Sequence, residues 1–204
     1  MDNNDLVKKL VEEGVVLTSK IRRAFKRVDR QDFVPLSEKD YSYLDLPLSI
    51  GSGQTISQPT TVATMLELLK VDKGMKILDI GAGSGWVSVL LAEIIGQKGK
   101  VYAYEINSAV GRAGQKNLEK FNYKNIIYKI ADATEYWDRN SPYDRIIAGT
   151  SFSKIPRNLI EKLTVGGIAV IPTKDNYLVK IMRTKKDSYK EERFYGFVFV
   201  PFLE

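Results

Sequence analysis

The chain has 204 residues, 44% of them hydrophobic, with 31 Lys and Arg against 25 Asp and Glu and a net charge of +6, which suits one domain with a sizeable core. It contains no Cys, which excludes disulfides and thiolate metal sites, and no His, which excludes Ser-His-Asp and Cys-His catalysis and histidine-bound zinc. No apolar run approaches the roughly 20 residues of a membrane-spanning helix, and acid-base work falls to carboxylates, Lys or Tyr.

Met1 to Asp5 is polar and acidic, unlike a secretory signal, and a Cys-free chain is compatible with a reducing cytoplasm. Leu6, Val7, Leu10 and Val11 predict a helix over 3–14, ended by Gly14. Ile21, Ala24, Phe25 and Val28 predict a second over 18–28, with Thr18 or Ser19 as its cap. Phe33-Val34-Pro35 breaks this pattern, and residues 36–57 read as irregular. An irregular stretch of about 20 residues in a compact domain points to function. Its Tyr41, Tyr43, Leu44, Leu46, Leu48 and Ile50 argue against disorder. Pro59 to Lys70 reads as a helix with Val62, Met65, Leu66 and Leu69 on one face.

From Lys76 strands and helices alternate. Strands are expected at 76–80, 100–105, 126–130, 145–148 and 168–171, and helices at 84–95, 108–121 and 156–164. This pattern implies a mainly parallel sheet covered on both faces, a Rossmann-like α/β fold. Beyond Pro172, residues 177–183 and 194–201 are expected to form a C-terminal antiparallel hairpin joined by the charged stretch 184–193. The densest basic cluster, Lys185, Lys186 and Lys190, sits beside Asp187, Glu191 and Glu192. It reads as an exposed turn, and the +6 charge as a solvated surface, so nucleic acid is not the expected partner.

Asp79-Ile80-Gly81-Ala82-Gly83-Ser84-Gly85 joins the first of these strands to its helix. Alternating glycines let the backbone turn sharply and let a ligand approach it. The spacing is G-x-G-x-G, not the G-x-G-x-x-G of dinucleotide enzymes. Glu105 ends the next strand about 20 residues on, where a ribose-binding carboxylate is expected. Asp79 is placed to accept from glycine-loop amides or a ligand ammonium, and Asp132 from an adenine amino group. All three acids lie at the carboxyl ends of successive strands, where open α/β sheets bind ligands.

These motifs resemble the cofactor site of class I S-adenosylmethionine-dependent methyltransferases. Arg30-Gln-Asp-Phe-Val-Pro35, Tyr43-Leu-Asp-Leu-Pro47 and Ile50-Gly-Ser-Gly-Gln-Thr-Ile-Ser-Gln-Pro59 narrow the likeness. They closely resemble the protein-L-isoaspartate O-methyltransferase family, as does Phe199-Val-Pro-Phe202 its closing strand. The resemblance runs over nearly the whole chain. It implies a seven-stranded sheet and a single methyltransferase domain, with residues 1–57 as N-terminal helices and a covering loop and 58–204 as the Rossmann-like core. It implies methyl transfer from S-adenosyl-L-methionine to the free carboxylate of L-isoaspartyl and D-aspartyl residues in damaged proteins, initiating repair. That chemistry suits a His-free chain, because an ionised carboxylate is already a nucleophile near neutral pH and needs positioning more than a base. A cytoplasmic monomer without a metal is the expected form.

By this resemblance Ser57 is the catalytic residue, read as a donor that orients the attacking carboxylate. Its position before Pro59 equally suits a helix N-cap. Gln54, Thr55, Ile56 and Ser57 would line the cofactor together with Asp79, Gly81, Ala82, Gly83, Ser84 and Gly85. Glu105, Ile106, Asp132 and Ala133 would complete its site, and the 41–54 loop would cover cofactor and peptide. The chain departs from the family pattern at Ala133, at Gly149-Thr-Ser-Phe-Ser-Lys154 and at Pro172-Thr-Lys-Asp-Asn-Tyr177. Phe152 and Lys154 are therefore expected near the substrate, where they would change which carboxylate is accepted. Two other readings stay open: a class I methyltransferase acting on RNA or another substrate, and a cofactor-binding module without turnover.

Overall fold

The amphipathic N-terminal segments form α1 (Asn3–Glu12) and α2 (Ser19–Arg27) in the computed structural model, which describes residues 1–202. A capping box starts α1: Asp2 accepts from the Asp5 amide and Asp5 from the Asp2 amide, both at 2.9 Å. Leu6, Val7 and Leu10 of α1 and Ile21, Ala24 and Phe25 of α2 are all buried in one core. That core continues through α3 (Pro59–Leu69) and α4 (Trp86–Ile95).

Parallel strands β3 (Lys76–Ile80), β4 (Lys100–Glu105), β5 (Ile126–Ile130), β6 (Tyr143–Ala148) and β7 (Leu163–Pro172) are followed by antiparallel β8 (Tyr177–Lys185) and β9 (Ser188–Tyr195). The seven-stranded sheet has the order β5-β4-β3-β6-β7-β8-β9. Alternation along each strand splits the core. Ile77, Val101, Ala103 and Ile147 pack under α1–α4, while Leu78, Ile80, Tyr104, Ile146 and Ala148 face the opposite side with Leu159 and Ile160. The chain runs outward from β3 through β4 to β5, then returns to β6 on the other side of β3. The crevice at this switch point receives the glycine turn, as in open α/β sheets generally. Helix α5 (Ser108–Leu118) connects β4 to β5, beside that crevice.

Four expectations are corrected. The helix expected at 156–164 is only α6 (Arg157–Ile160); the chain enters β7 at Leu163, and Gly166 takes φ +84°, which no helix residue adopts. The charged stretch 184–193 is mostly strand. β9 is the sheet edge, and an edge strand carries charge readily; Lys180 pairs with Glu192 across it at 3.2 Å. Of residues 194–201 only Phe194 and Tyr195 belong to the second hairpin strand: pairing stops at Tyr195, and after Gly196 (φ +102°) the chain crosses the end of the sheet as a strap. Phe199 to Phe202 belong to this strap, which meets the sheet end at an isolated bridge of Pro201 to Ser151. Finally, the irregular stretch 36–57 holds a hairpin, β1 (Leu48–Gly51) with β2 (Gln54–Ile56), turned by Gly51, Ser52 and Gly53 at positive φ.

Candidate active site

The glycine turn is held from three directions. Gly81 and Ala82 amides donate to the Tyr104 carbonyl on β4 at 2.9 and 3.0 Å. The Gly83 amide donates to Glu105 Oε2 at 2.9 Å. The Tyr128 hydroxyl, from β5, donates to the Gly83 carbonyl at 2.7 Å. Helix α5 can approach this closely only because residue 114 is Gly: a Cβ there would lie 2.5 Å from the Tyr128 hydroxyl and collide with the Gly83 carbonyl. A helix-weakening residue inside α5 is thus explained by packing against the turn.

Glu105 is buried, and its Oε1 accepts from the Asn107 amide at 2.9 Å. Each carboxylate oxygen therefore spends one bond on the backbone and keeps capacity for another. Asp132 Oδ1 accepts from the Thr134 amide at 2.8 Å, fixing the carboxylate at the end of β5. Asp79 departs from one of its two expected roles. It accepts no glycine-loop amide; its Oδ2 takes the Ser88 hydroxyl of α4 at 2.5 Å. Burial pushes the Asp79 carboxyl up to about 7, with the Ser88 bond opposing and the charge of Glu105 adding to the rise.

These elements wall a cleft with two lobes. The first, of about 600 Å³, is lined by Gln54, Thr55, Gly81, Gly83, Glu105, Ile106, Asp132 and Ala133, with Ile50, Tyr104, Asn107, Thr150 and Val200 to Phe202. The second, of about 510 Å³, is lined by Thr55, Ile56, Ser57, Asp79, Ala82 and Ser84, with Met65, Trp86 and Phe199. Thr55, Gly81, Gly83 and Gly149 line both, so the lobes adjoin. The acceptors Glu105 and Asp132 in the first lobe suit a ligand bearing hydroxyl and amino donors. Gly85 lines neither lobe; it caps α4 at φ +85°, and a Cβ there would strike Leu118 of α5.

Ser57 is half-buried on the wall of the second lobe. It does not cap α3. The N-cap position is Gln58, and the capping carboxylate comes from the covering loop: Asp45 accepts from the Thr60 backbone amide at 2.9 Å, the Thr60 hydroxyl at 2.6 Å and the Gln58 side-chain Nε2 at 3.0 Å. Burial alone would raise the Asp45 carboxyl, but the Thr60 and Gln58 bonds outweigh it and hold it below its ordinary value. Beneath the loop lies Arg30, wholly buried, over the face of Trp86 at 5.3 Å.

Several site neighbours escaped sequence reasoning. Tyr128 and Gly114 lie within an expected strand and helix with no role read for them, and Arg30 enters only as the first residue of the family-like segment 30–35. Ile50 and Gln54 of the covering loop do line the cleft, while Tyr41 is exposed and Tyr43 turns to Asp29 at 3.1 Å. Phe152 lines neither lobe: it is buried, stacked on Phe202 with ring centroids 4.4 Å apart. Lys154 is exposed and lines neither lobe.

The chain is similar to several proteins along its full length. A protein-L-isoaspartate O-methyltransferase of Thermococcus sibiricus is 40% identical over 216 residues, covering 100% of this chain and 97% of the relative. One of Methanothermobacter thermautotrophicus is 38% identical over 202 residues, covering 97% and 93%. Among solved structures, a Plasmodium falciparum beta-aspartate methyltransferase in complex with S-adenosyl-L-homocysteine superposes with TM-score 0.84 at 24% identity, covering 98% of each chain; at that identity the likeness establishes the fold. The family profile described as protein-L-isoaspartate(D-aspartate) O-methyltransferase (PCMT) matches residues 1–204. With relatives this similar and a match across its whole length, the chain belongs to the protein-L-isoaspartate(D-aspartate) O-methyltransferase family.

Proposed function

We propose that this enzyme methylates the free carboxylate of L-isoaspartyl and D-aspartyl residues in damaged proteins, initiating their repair, with S-adenosyl-L-methionine as methyl donor. The observation that carries the reading is the adjoining pair of lobes. One is lined by the acceptors Glu105 and Asp132 and the other by Ser57, with the glycine turn as their shared wall. When bound, S-adenosyl-L-methionine supplies a methyl group activated on a sulfonium.

The chain's own residues hold and orient. Glu105 offers its remaining acceptor capacity to ribose hydroxyls, and Asp132 accepts from the adenine amino group. Gly81 to Ser84 supply a close, Cβ-poor backbone, with Gln54, Thr55, Ile56, Ile106 and Ala133 packing around it. Ser57 donates its hydroxyl to the substrate carboxylate and fixes its direction of approach. No proton need be removed from that carboxylate at neutral pH, so orientation and exclusion of water account for the protein's contribution. Loop 41–54 and the C-terminal strap provide the exclusion. Residues 1–57 act as cover and 58–204 as core of one methyltransferase domain.

The reading includes a cytoplasmic monomer acting on proteins and not on nucleic acid. Among the described residues no helix is long and apolar enough to cross a membrane. Arg193 lies between Asp175 and Glu191 at 3.4 Å each, and Lys190 beside Glu192 at 3.5 Å, so the charged edge strand is largely self-neutralised. The test is methyl transfer from labelled cofactor to an isoaspartyl peptide and to its aspartyl counterpart. Base-labile label on the first alone is expected. Cofactor binding without transfer to the isoaspartyl peptide would overturn the assignment, and base-stable label in RNA would redirect it.

A further inference from the structure

Residues 150–152 and 199–202 are remote in sequence and joined at the mouth of the cleft. The Thr150 hydroxyl donates to the Val200 carbonyl at 3.0 Å. The Ser151 hydroxyl lies 3.2 Å from the carbonyls of both Phe199 and Val200. Backbone bonds of 2.8 Å run from the Ser151 amide to the Val200 carbonyl and from the Phe202 amide to the Ser151 carbonyl. Phe202 then stacks on Phe152.

The strap so held is a wall of both lobes. Phe199 faces the lobe of Ser57, and Val200, Pro201 and Phe202 face the lobe of Glu105. The strap is also anchored by the Phe197 amide on the Asn176 carbonyl at 3.0 Å and by Phe197, Phe199 and Phe202 packed against the two cores, but Val198 is 80% exposed, and the bridge of Ser151 to Pro201 is its only strand-like pairing among the described residues. Thr150 also touches the other side of the first lobe, its methyl 3.3 Å from where a Cβ on Gly81 would stand. One side chain thus spans from the glycine turn to the strap. The hydroxyls sit in the 149–154 segment, where the sequence departs from the family pattern and where Phe152 and Lys154, not Thr150 and Ser151, were expected to change carboxylate selection.

We propose that Thr150 and Ser151 are positioning residues whose hydroxyls latch the strap across the cleft, and so set how long the cofactor and its demethylated product remain bound. The proposal rests on the reading of the cleft as the cofactor site. Displacing the strap removes Val200 to Phe202 from the first lobe and opens it to solvent, and three side-chain contacts to backbone carbonyls resist that displacement.

The experiment uses Thr150→Val, which keeps the side-chain volume, Ser151→Ala, and the double variant. Hydrogen exchange of the amides of residues 197–200 and 202 is followed in the ligand-free protein, and release of S-adenosyl-L-homocysteine is followed by rapid mixing. The double variant is expected to exchange its strap about tenfold faster, with the sheet unchanged, and to release product faster by a similar factor. Unchanged strap exchange, or faster exchange with unchanged release, overturns the latch. Failure of the unmodified protein to bind S-adenosyl-L-homocysteine overturns the cofactor reading and the release half of the proposal, a result distinct from either.

Discussion

The guanidinium of Arg30 donates to the carbonyl of Ser57 at 3.2 Å. The same group holds the carbonyls of Ser42 at 2.8 Å, Leu44 at 3.2 Å and Leu46 at 2.9 Å. One buried cation therefore ties the covering loop to the backbone of the residue assigned to orient the substrate. Burial pulls its pKa down to about 10, with Asp45 opposing, so it stays charged at neutral pH.

Replacing Arg30 with Met strands those carbonyls, each a group whose lost partner costs about 1–3 kcal/mol. The variant is expected to lose stability in denaturant unfolding, and the milder Arg30→Lys to keep the fold. Arg30→Lys is expected to lower kcat for an isoaspartyl peptide about tenfold. Its affinity for S-adenosyl-L-homocysteine, measured by calorimetry, stays within about twofold, because Glu105 and Asp132 are untouched.

Ser57 and Asp45 separate turnover from stability. Ser57→Ala is expected to lower kcat while leaving stability within about 0.5 kcal/mol, since Ser57 makes no helix cap. Asp45→Ala removes the carboxylate that caps α3 from the loop and is expected to cost about 1–2 kcal/mol. Paired thermal melts and initial rates check both; a melt of Ser57→Ala as low as that of Asp45→Ala would restore the capping role.

Glu105 bonds the Gly83 amide and is assigned the ribose hydroxyls. Glu105→Gln keeps the shape but loses charge and half the acceptor capacity. Cofactor affinity is expected to fall about 10–100-fold, or roughly 1.4–2.7 kcal/mol. Isothermal titration with S-adenosyl-L-methionine reads this directly, and an unchanged Kd would remove Glu105 from the site.

Tyr128 and Gly114 support the turn from outside the cleft. Tyr128→Phe loses the bond to the Gly83 carbonyl and is expected to cost about 1 kcal/mol. Gly114→Ala drives a Cβ into that carbonyl, and overpacking of this kind costs about 1–3 kcal/mol. Cofactor affinity should fall in both, more in Gly114→Ala, as measured by the same titration.

Asp79 makes stability depend on pH. Its folded pKa, about 7, is raised above its ordinary 3.8. Between those values the folded state holds the proton that the unfolded state has released, so stability falls as pH rises from about 4 to about 7. Asp79→Asn is expected to flatten that part of the profile and to melt higher than the unmodified protein at pH 8. Thermal melts across pH 4–8 in one ionic strength test it; parallel profiles for the two proteins would sink the idea.

What the sequence determined alone is what local chemistry encodes. Helical spacing at Leu6 to Leu10 and at Val87 to Ile95, apolar runs at Lys76 and Lys100, and glycines at 81, 83 and 85 act over a few residues. Periodicity and turn chemistry therefore located the parallel core, the turn and the position of Glu105 at the end of β4. Departures occurred where a neighbour remote in sequence decides. Residues 184–193 are charged yet extended because β8 pairs with them, and 197–202 leaves the sheet because Ser151 holds it at the sheet end. Ser57 has the local signature of a cap, but Asp45 takes that role across a loop closure. Asp79 finds Ser88 before any loop amide. Tyr128 and Gly114 carry no local signal, and Arg30 only its place in the family-like segment 30–35, because their roles consist of contacts with Ser57 and Gly83, and those contacts exist only once the sheet and helices have brought the segments together.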